Sequence, residues 1–408
     1  MTEPILSHRY ANGLVLLAEP MDHLQSAALS FLVPAGCVCE PADRSGLSAL
    51  ACEMTLRGAG SRDSRQLILD LDNLGVERHE SVSGAHVAYG GATLAENLPE
   101  ALAIFADILR RPHLAAEQLE AARQVILQEL QGVEDEPAER VMIELRRRHY
   151  PDPWGRSSFG QRQAIEAVSI DEVRSFHRHW RPDGMILGLA GRVAWEPLVD
   201  LVERLLGDWR PGCDEPIAEQ EGPQGYAHVP FPSGQTQIGI AYASVPYRHP
   251  DYFQAWGAVG ALSGGMSARL FTEVREKRGL CYSVAASYHT LRDRGAVLCY
   301  AGSSTERAQE TLDVTLGELV RLGRGIEEHE LDRLKARIKS ALIMQQESSS
   351  ARSASIARDW YHLGTARTLE EIGRLVDALS SRSINAYLAE HPPRDFTVVT
   401  LGEEPLAI

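Results

Sequence analysis

Two pairs of segments decide the fold, because the second pair repeats the order of the first. Residues 26–36, "SAALSFLVPAG", alternate as a strand does, and residues 43–56, "DRSGLSALACEMTL", then follow the apolar spacing of a helix. In the second half of the chain, residues 236–246, "TQIGIAYASVP", predict a strand and residues 252–264, "YFQAWGAVGALSG", predict a helix. A repeated order of elements indicates an internal duplication.

The remaining segments extend this repeat. Leu119 and Leu331 hold equivalent places in the last helix of each repeat. Strands and helices do not alternate regularly, which predicts an α+β fold with two similar domains of antiparallel-rich sheets flanked by helices. The Gly-, Pro- and acid-rich stretch between the halves predicts an N-terminal domain over 1–210, a linker over 211–225 and a C-terminal domain over 226–408. Further predicted elements are helices at 64–75, 98–111, 115–132, 267–279, 306–322 and 327–343, and strands at 83–94, 281–290 and 295–304.

Composition excludes several classes of function. The 408 residues carry 41 Lys and Arg against 56 Asp and Glu, and a net charge of −15 argues against nucleic acid and anionic membranes as partners. No apolar run is long enough to span a bilayer, and the N-terminus lacks the basic start and apolar block of an export signal. The six cysteines lack zinc-knuckle spacing, so we expect free thiols and a cytoplasmic location. The spacing of Cys37 and Cys39 predicts that both lie on one face of a strand.

Three stretches resemble the M16 (pitrilysin/insulinase) metallopeptidase family, in its short two-domain bacterial form. Residues 35–62 are similar to the active-site helix of that family, and residues 150–193 to its Tyr-Pro…Gly-Arg…Gly segment. Residues 267–284, "SARLFTEVREKRGLCYSV", resemble its second-half signature and are the most specific of the three. The resemblance implies duplicated α/β-roll domains in a clam-like arrangement.

The resemblance also shows what the first half lacks. Active family members carry His-x-x-Glu-His on the first helix, where two imidazoles bind Zn²⁺ and the glutamate activates water. Here the two histidine positions are Ala49 and Glu53, and the position of the general base is Cys52. The third family ligand, a glutamate on a later helix, matches Glu129, and Arg57 is a candidate to neutralise Glu53. The sequence therefore predicts a degenerate zinc site and no metal bound by this chain, although two carboxylates could still hold Mg²⁺ or Ca²⁺ with water.

The second half keeps the other part of the family's site. Active members complete their cleft with an arginine and a tyrosine seven residues apart, and Arg275 and Tyr282 match them. A phenol can stabilise the oxyanion of peptide hydrolysis, and a guanidinium can hold a carbonyl or carboxylate of the substrate. An isolated pair of this kind would more simply be a surface arginine and a packed tyrosine, but its place in the signature favours function.

The resulting hypothesis is that the chain is the non-zinc subunit of a heterodimeric peptidase and is inactive alone. Arg275 and Tyr282 would act in trans on peptide in the cleft of a homologous subunit that carries His-x-x-Glu-His and the zinc. One alternative is a catalytically inert scaffold or assembly protein, and another is an independent hydrolase that uses Glu53, Glu129 and an unrecognised ligand. The His-x-His of His177 and His179 is more simply explained by packing than by metal binding.

Overall fold

The computed structural model describes residues 4–212 and 216–408. The chain forms two compact units, and neither is continuous in sequence. The first unit comprises the chain up to Gly132, Arg156–Glu219 and Ile343–Leu369; the second comprises Val133–Gly155, Gln220–Leu342 and Glu370–Ile408. The predicted linker 211–225 includes residues 213–215, which lie outside the described residues.

The strands are β1 Leu6–Arg9, β2 Val15–Pro20, β3 Ser26–Val33, β4 Gly58–Ala59, β5 Arg62–Asp63, β6 Glu77–Val82, β7 Val87–Leu94, β8 Ile186–Gly191, β9 Tyr226–Pro230, β10 Gln235–Ser244, β11 Cys281–Thr290, β12 Gly295–Ser304 and β13 Thr397–Gly402. The α-helices are α1 Leu47–Thr55, α2 Ser64–Asn73, α3 Leu98–Arg110, α4 Leu119–Glu134, α5 Pro137–His149, α6 Arg162–Ala167, α7 Ile170–Phe176, α8 Trp195–Leu206, α9 Tyr252–Ser263, α10 Ala308–Leu322, α11 Glu328–Gln345, α12 Ser349–Leu363, α13 Leu369–Asp377 and α14 Ser381–Glu390. A π-helical turn spans Phe271–Glu276, and short 3-10 turns occur at Cys37–Cys39, Ala95–Asn97, Ala116–Gln118, His177–His179 and Thr305–Arg307.

The two main sheets share one topology, which confirms the predicted duplication and the α+β class. The first unit has a six-stranded sheet in the order β1-β2-β8-β3-β7-β6. The second has a five-stranded sheet in the order β9-β13-β10-β12-β11, which matches the first without its edge strand β1. In each sheet one strand pair is parallel, β2 with β8 and β9 with β13, and the others are antiparallel. The same five-strand pattern with one parallel pair in the same place indicates a single repeated unit.

Each sheet is covered by helices on both faces. The larger core of the first unit lies between one face of its sheet and helices that include α1, α3 and α8. The larger core of the second unit lies between its sheet and helices that include α9, α10 and α14. Neighbouring residues of a strand point to opposite faces of its sheet, so a sheet that is covered on both faces has strands with consecutive apolar residues. Leu16 and Leu17 of β2 are an example, since they lie in two different hydrophobic clusters.

The second face of each sheet is covered by a helix from the other half of the sequence. Helix α5 packs on β10 and β13 of the second unit, and α12 packs on β8 and β3 of the first. The approach of α12 is close, since a Cβ at Gly188 would collide with the carbonyl oxygen of Ser353. The predicted division at 211–225 does not include this exchange, because it assigns every segment before the linker to one domain.

The prediction of a strand at Cys37 and Cys39 was wrong. These residues form a 3-10 turn, whose Cys39 and Glu40 backbone N–H groups donate to Gly36 and Cys37. The Cys37 thiol donates to the carbonyl of Ser83. No helix in the described part of the chain has the length and apolar character needed to cross a membrane.

Candidate functional site

Helix α1 is held at its start by a buried carboxylate. Gly46, the residue before the helix, has φ of +101° and supplies no capping side chain. The carboxylate of Glu40 accepts hydrogen bonds from the backbone N–H of Gly46 at 3.1 Å, from that of Ser48 at 2.8 Å, and from the Ser48 hydroxyl. Burial raises the pKa of Glu40, and these hydrogen bonds oppose the rise. A carboxylate at a helix N-terminus stabilises the helix, so α1 is anchored by its own chain.

The general-base position of α1 holds an inert thiol. Cys52 is buried, and burial raises the pKa of its thiol to about 12. It lies beside Tyr89, whose hydroxyl contacts the Thr55 hydroxyl at 2.9 Å and accepts a hydrogen bond from Trp180 Nε1 at 3.1 Å. A buried thiol with a raised pKa is neither a nucleophile nor a base at neutral pH.

The two carboxylates at zinc-ligand positions interact with each other. On α1, the Glu53 Oε1 accepts hydrogen bonds from Arg57 Nε at 3.0 Å and Nη2 at 2.7 Å, so the predicted neutralising contact is present. On α4, desolvation of the carboxyl group and the negative charge of Glu53 raise the pKa of Glu129. The charge of Glu53 on α1 therefore acts on Glu129 on α4.

These residues do not fit the zinc set of the family. Ala49 has no donor atom, and the charge of Glu53 is already compensated by Arg57. Among the described residues there is no group of three or more His, Cys, Asp and Glu placed to hold a metal ion. Two carboxylates, one of them in an ion pair, are fewer and harder donors than a zinc site uses.

In the second unit, Arg275 lies between two aromatic rings. It belongs to the π-helical turn, and its guanidinium carbon is 4.7 Å from the ring centroid of Phe271 and 5.1 Å from that of Tyr282. Cations over aromatic faces are attracted by the ring quadrupole, so the stack orients the guanidinium. Single π-helical turns inside helices occur frequently at functional sites.

Tyr282 is presented to solvent by a β-bulge. In the β11–β12 ladder, Cys281 pairs with Ser303 and Ser283 with Gly302, so Tyr282 is the extra residue. The side chain of Tyr282 is 85% exposed, and β11 is the edge strand of its sheet. A bulge redirects a side chain away from the ladder. The result is a phenol stacked on Arg275 with its hydroxyl in solvent.

Comparison with known families agrees with this architecture. Residues 15–159 match the sequence model described as "Insulinase (Peptidase family M16)", and residues 167–338 match "Peptidase M16 inactive domain". The chain belongs to the M16 peptidase family. It is a short, two-domain member, as its sequence predicted.

Curated relatives of this M16 chain align over nearly its whole length. An uncharacterized zinc protease of Mycobacterium bovis is 28% identical over 96% of this chain and 91% of its own. One of Rickettsia felis is 25% identical over 94% of both chains. A probable beta subunit of the mitochondrial-processing peptidase of Schizosaccharomyces pombe is 25% identical over 93% of this chain and 87% of its own.

Solved structures share the fold. The crystal structure of a peptidase M16 inactive domain from Pseudomonas fluorescens has a TM-score of 0.88, 21% identity and full coverage of both chains. A protease from Helicobacter pylori has a TM-score of 0.89 and 19% identity over 98% of this chain and 100% of its own. A chain of complex III2 from Candida albicans has a TM-score of 0.84, 18% identity and coverage of 98% of this chain and 96% of its own.

Two histidines that could have indicated a metal site are packing residues. His177 Nε2 donates to the carbonyl of Leu109 at 3.0 Å, its ring stacks on Trp180, and burial lowers its pKa to about 4. His179 packs against Phe176. Sequence reasoning missed Phe271, although its place four residues before Arg275 on a predicted helix was a usable signal.

Proposed function

We propose that this chain is the non-zinc subunit of a heterodimeric M16-type peptidase. It would contribute Arg275 and Tyr282 to substrate binding and transition-state stabilisation, while a homologous subunit with His-x-x-Glu-His supplies the zinc. The observation that carries the proposal is the stack of Arg275 on Tyr282, with the phenol 85% exposed. Burial of an aromatic ring stabilises a fold, so exposure of this one points to contact with something outside the unit.

The chemistry assigns each residue a step. The tetrahedral intermediate of peptide hydrolysis carries a developing negative charge on the former carbonyl oxygen. A Tyr282 hydroxyl donor at that oxygen would stabilise it, and Arg275 would orient the peptide through a backbone carbonyl. The chain alone is expected to be inactive, because Ala49 and the buried Cys52 supply neither ligand nor base.

The comparisons support this assignment at the level of the family. The curated relatives named above are called zinc proteases, and the fission yeast relative is called a subunit of a processing peptidase. We also propose a cytoplasmic location, since the cysteines of the described chain are free thiols, which suit a reducing compartment.

The test uses a quenched, unstructured peptide and three preparations: this chain, its zinc-motif relative from the same genome, and the two co-purified. Only the pair should cut. In the pair, Tyr282→Phe should lower kcat by about 100-fold, the usual effect of removing one oxyanion donor. Arg275→Ala should mainly raise KM. Arg65→Ala, an exposed arginine of α2, is the matched control and should cut at the parent rate. Zinc should be present in the zinc-motif relative and in the pair, and absent from this chain alone.

A second candidate is an inert M16 scaffold. It is favoured by the likeness to a structure titled an inactive domain and by that to a chain of complex III2. If the pair assembles and the Tyr282→Phe and Arg275→Ala variants cut as fast as the parent, the scaffold function replaces the catalytic one. The same holds if the chain forms no complex with any zinc-motif relative.

A further inference from the structure

Two adjoining cavities open on the second unit near the turn that carries Arg275. Their volumes are about 240 Å³ and 420 Å³, and they share Ser267, Glu330 and Arg333 as lining residues. They lie where the end of α9 and the following glycine-containing loop meet the start of α11 and the loop between α10 and α11.

The cavities are positively charged on a protein that is strongly negative. Five arginines line them against three glutamates. The arginines are Arg269, Arg321, Arg324, Arg333 and Arg337, and the glutamates are Glu273, Glu327 and Glu330. In a chain of net charge −15, a local excess of arginine selects for anions among the groups that approach.

Each of the three glutamates has a local partner. Arg269 contacts both oxygens of Glu330 at 2.7 Å, and Glu327 lies 3.0 Å from His329. Glu273 is bound by Lys277 at 2.7 Å and by Arg278 at 3.0 Å, neither of which lines the cavities. Of the five cavity arginines, Arg269 pairs with a cavity glutamate and the other four do not.

Three arginines stay without a partner. Within residues 4–212 and 216–408, the side chains of Arg324, Arg333 and Arg337 make no ion pair or hydrogen bond, and all three are exposed. Arg321 pairs with Glu318 instead. Three exposed guanidinium groups without a carboxylate around one pair of cavities are available to bind an anionic group from outside the chain.

The spacing of the arginines matches a peptide with paired acidic residues. Arg333 and Arg337 are one turn apart on α11, which separates them by a rise of about 6 Å. Alternate side chains of an extended peptide lie about 7 Å apart on one side. Two acidic residues at positions i and i+2 of an extended peptide therefore match the two guanidinium groups.

We propose that these cavities bind acidic side chains of the peptide substrate, an inference that rests on the proposed function. Thr272 and Glu273 of the π-helical turn line the larger cavity, and Arg275 belongs to the same turn. On this proposal a peptide oriented by Arg275 continues toward the cavities. The chain would favour peptides with paired acidic residues near the scissile bond.

The experiment measures binding by the isolated chain, so that it needs neither zinc nor a partner. A fluorescently labelled pentapeptide with glutamate at alternate positions is titrated by anisotropy, beside the same peptide with glutamine. We expect the acidic peptide to bind more tightly and its affinity to fall with added salt. The double variant Arg333→Gln/Arg337→Gln should weaken acidic-peptide binding by about tenfold, as loss of two exposed ion pairs implies.

The matched control removes the same charge elsewhere. Arg65→Gln/Arg204→Gln changes two exposed arginines of the first unit and should bind as the parent does. Equal binding of both peptides, or parent-like binding by the Arg333→Gln/Arg337→Gln variant, would overturn the inference. Displacement of the peptide by inorganic phosphate at similar affinity would also overturn it, by assigning the site to small anions.

Failure here is distinguishable from failure of the proposed function. The assembled pair is also tested on the glutamine peptide, whose cleavage depends on Arg275 and not on the cavities. If Arg275→Ala slows that cleavage while the acidic peptide shows no preference, only the acidic-residue inference fails. If Arg275→Ala has no effect, the proposed function fails, whatever the binding data show.

Discussion

The exchanged helix α12 is fastened to the first sheet by a buried ion pair whose loss should be costly. Arg352 is fully buried, and its Nε and Nη2 contact Glu19 Oε2 of β2 at 2.7 Å and 2.6 Å. Arg352 Nη2 also donates to the carbonyl of Arg367 at 3.2 Å. Glu19 is nearly as buried, so its charge depends on this one guanidinium.

The perturbation is Arg352→Met, which keeps the apolar stem and removes the charge. Breaking a buried pair by removing one partner costs about 3–5 kcal/mol, because the remaining charge is left uncompensated. The free energy of unfolding, measured by urea titration with tryptophan fluorescence, should fall by that amount. Trp360, on the same helix, packs in this interface and is a local reporter.

The double variant Glu19→Leu/Arg352→Met separates the charge effect from the packing effect. Replacement of a buried pair by apolar residues of similar size is often neutral or stabilising, so the double variant should recover most of the loss. A loss below about 1 kcal/mol for Arg352→Met would refute the reasoning, since that is the value of an exposed pair. A double variant no more stable than Arg352→Met would show that packing, not charge, dominates.

Three further predictions concern the sites. Phe271→Leu removes one ring of the Arg275 stack and should lower kcat/KM of the assembled pair by about two- to fivefold at unchanged melting temperature, whereas Phe271→Trp should retain the rate. Cys52 should resist iodoacetamide at pH 8 in the native chain, so that mass spectrometry finds no adduct there until urea unfolds the protein; native labelling would contradict the buried thiol. Burial lowers the pKa of His177 from 6.5 to about 4. As the pH falls from 6.5 to 4, the unfolded chain binds a proton that the folded chain does not, so the free energy of unfolding decreases by up to about 3 kcal/mol. The variant His177→Gln should flatten that part of the pH–stability curve.

The sequence specified the elements well because their signals are local. The alternation of β3 and β10 and the periodic helices α1 and α9 were predicted and are present. The partners of α5 and α12 could not be predicted, because an amphipathic pattern shows that a helix buries one face but not which sheet covers it. Their equivalent places, each beginning the same distance after Leu119 and Leu331, mark them as one repeated element.

In the candidate site, too, the features with local signals were predicted and those that depend on tertiary contacts were not. The family resemblance placed Ala49, Cys52 and Glu53 on the first helix and Glu129 on a later one, and the Glu53–Arg57 contact was a consequence of helix geometry. The π-helical turn and the bulge at Tyr282 were not foreseen, because both are breaks in a regular hydrogen-bond ladder. Such breaks depend on tertiary contacts and leave no period in the sequence.

The asymmetry between the two units follows from what each site needs in order to fold. Helix α1 is fixed by Glu40 and by its buried face, so its stability does not require metal ligands at Ala49 and Glu53. The stack of Arg275 and Tyr282 has no such structural role, since an exposed phenol on an edge-strand bulge adds little to the core of its unit. A bulge and a π-helical turn both interrupt hydrogen-bond ladders, and a fold that needed only stability would be better served by regular ones. Their presence around this pair supports the proposal that Arg275 and Tyr282 contact substrate.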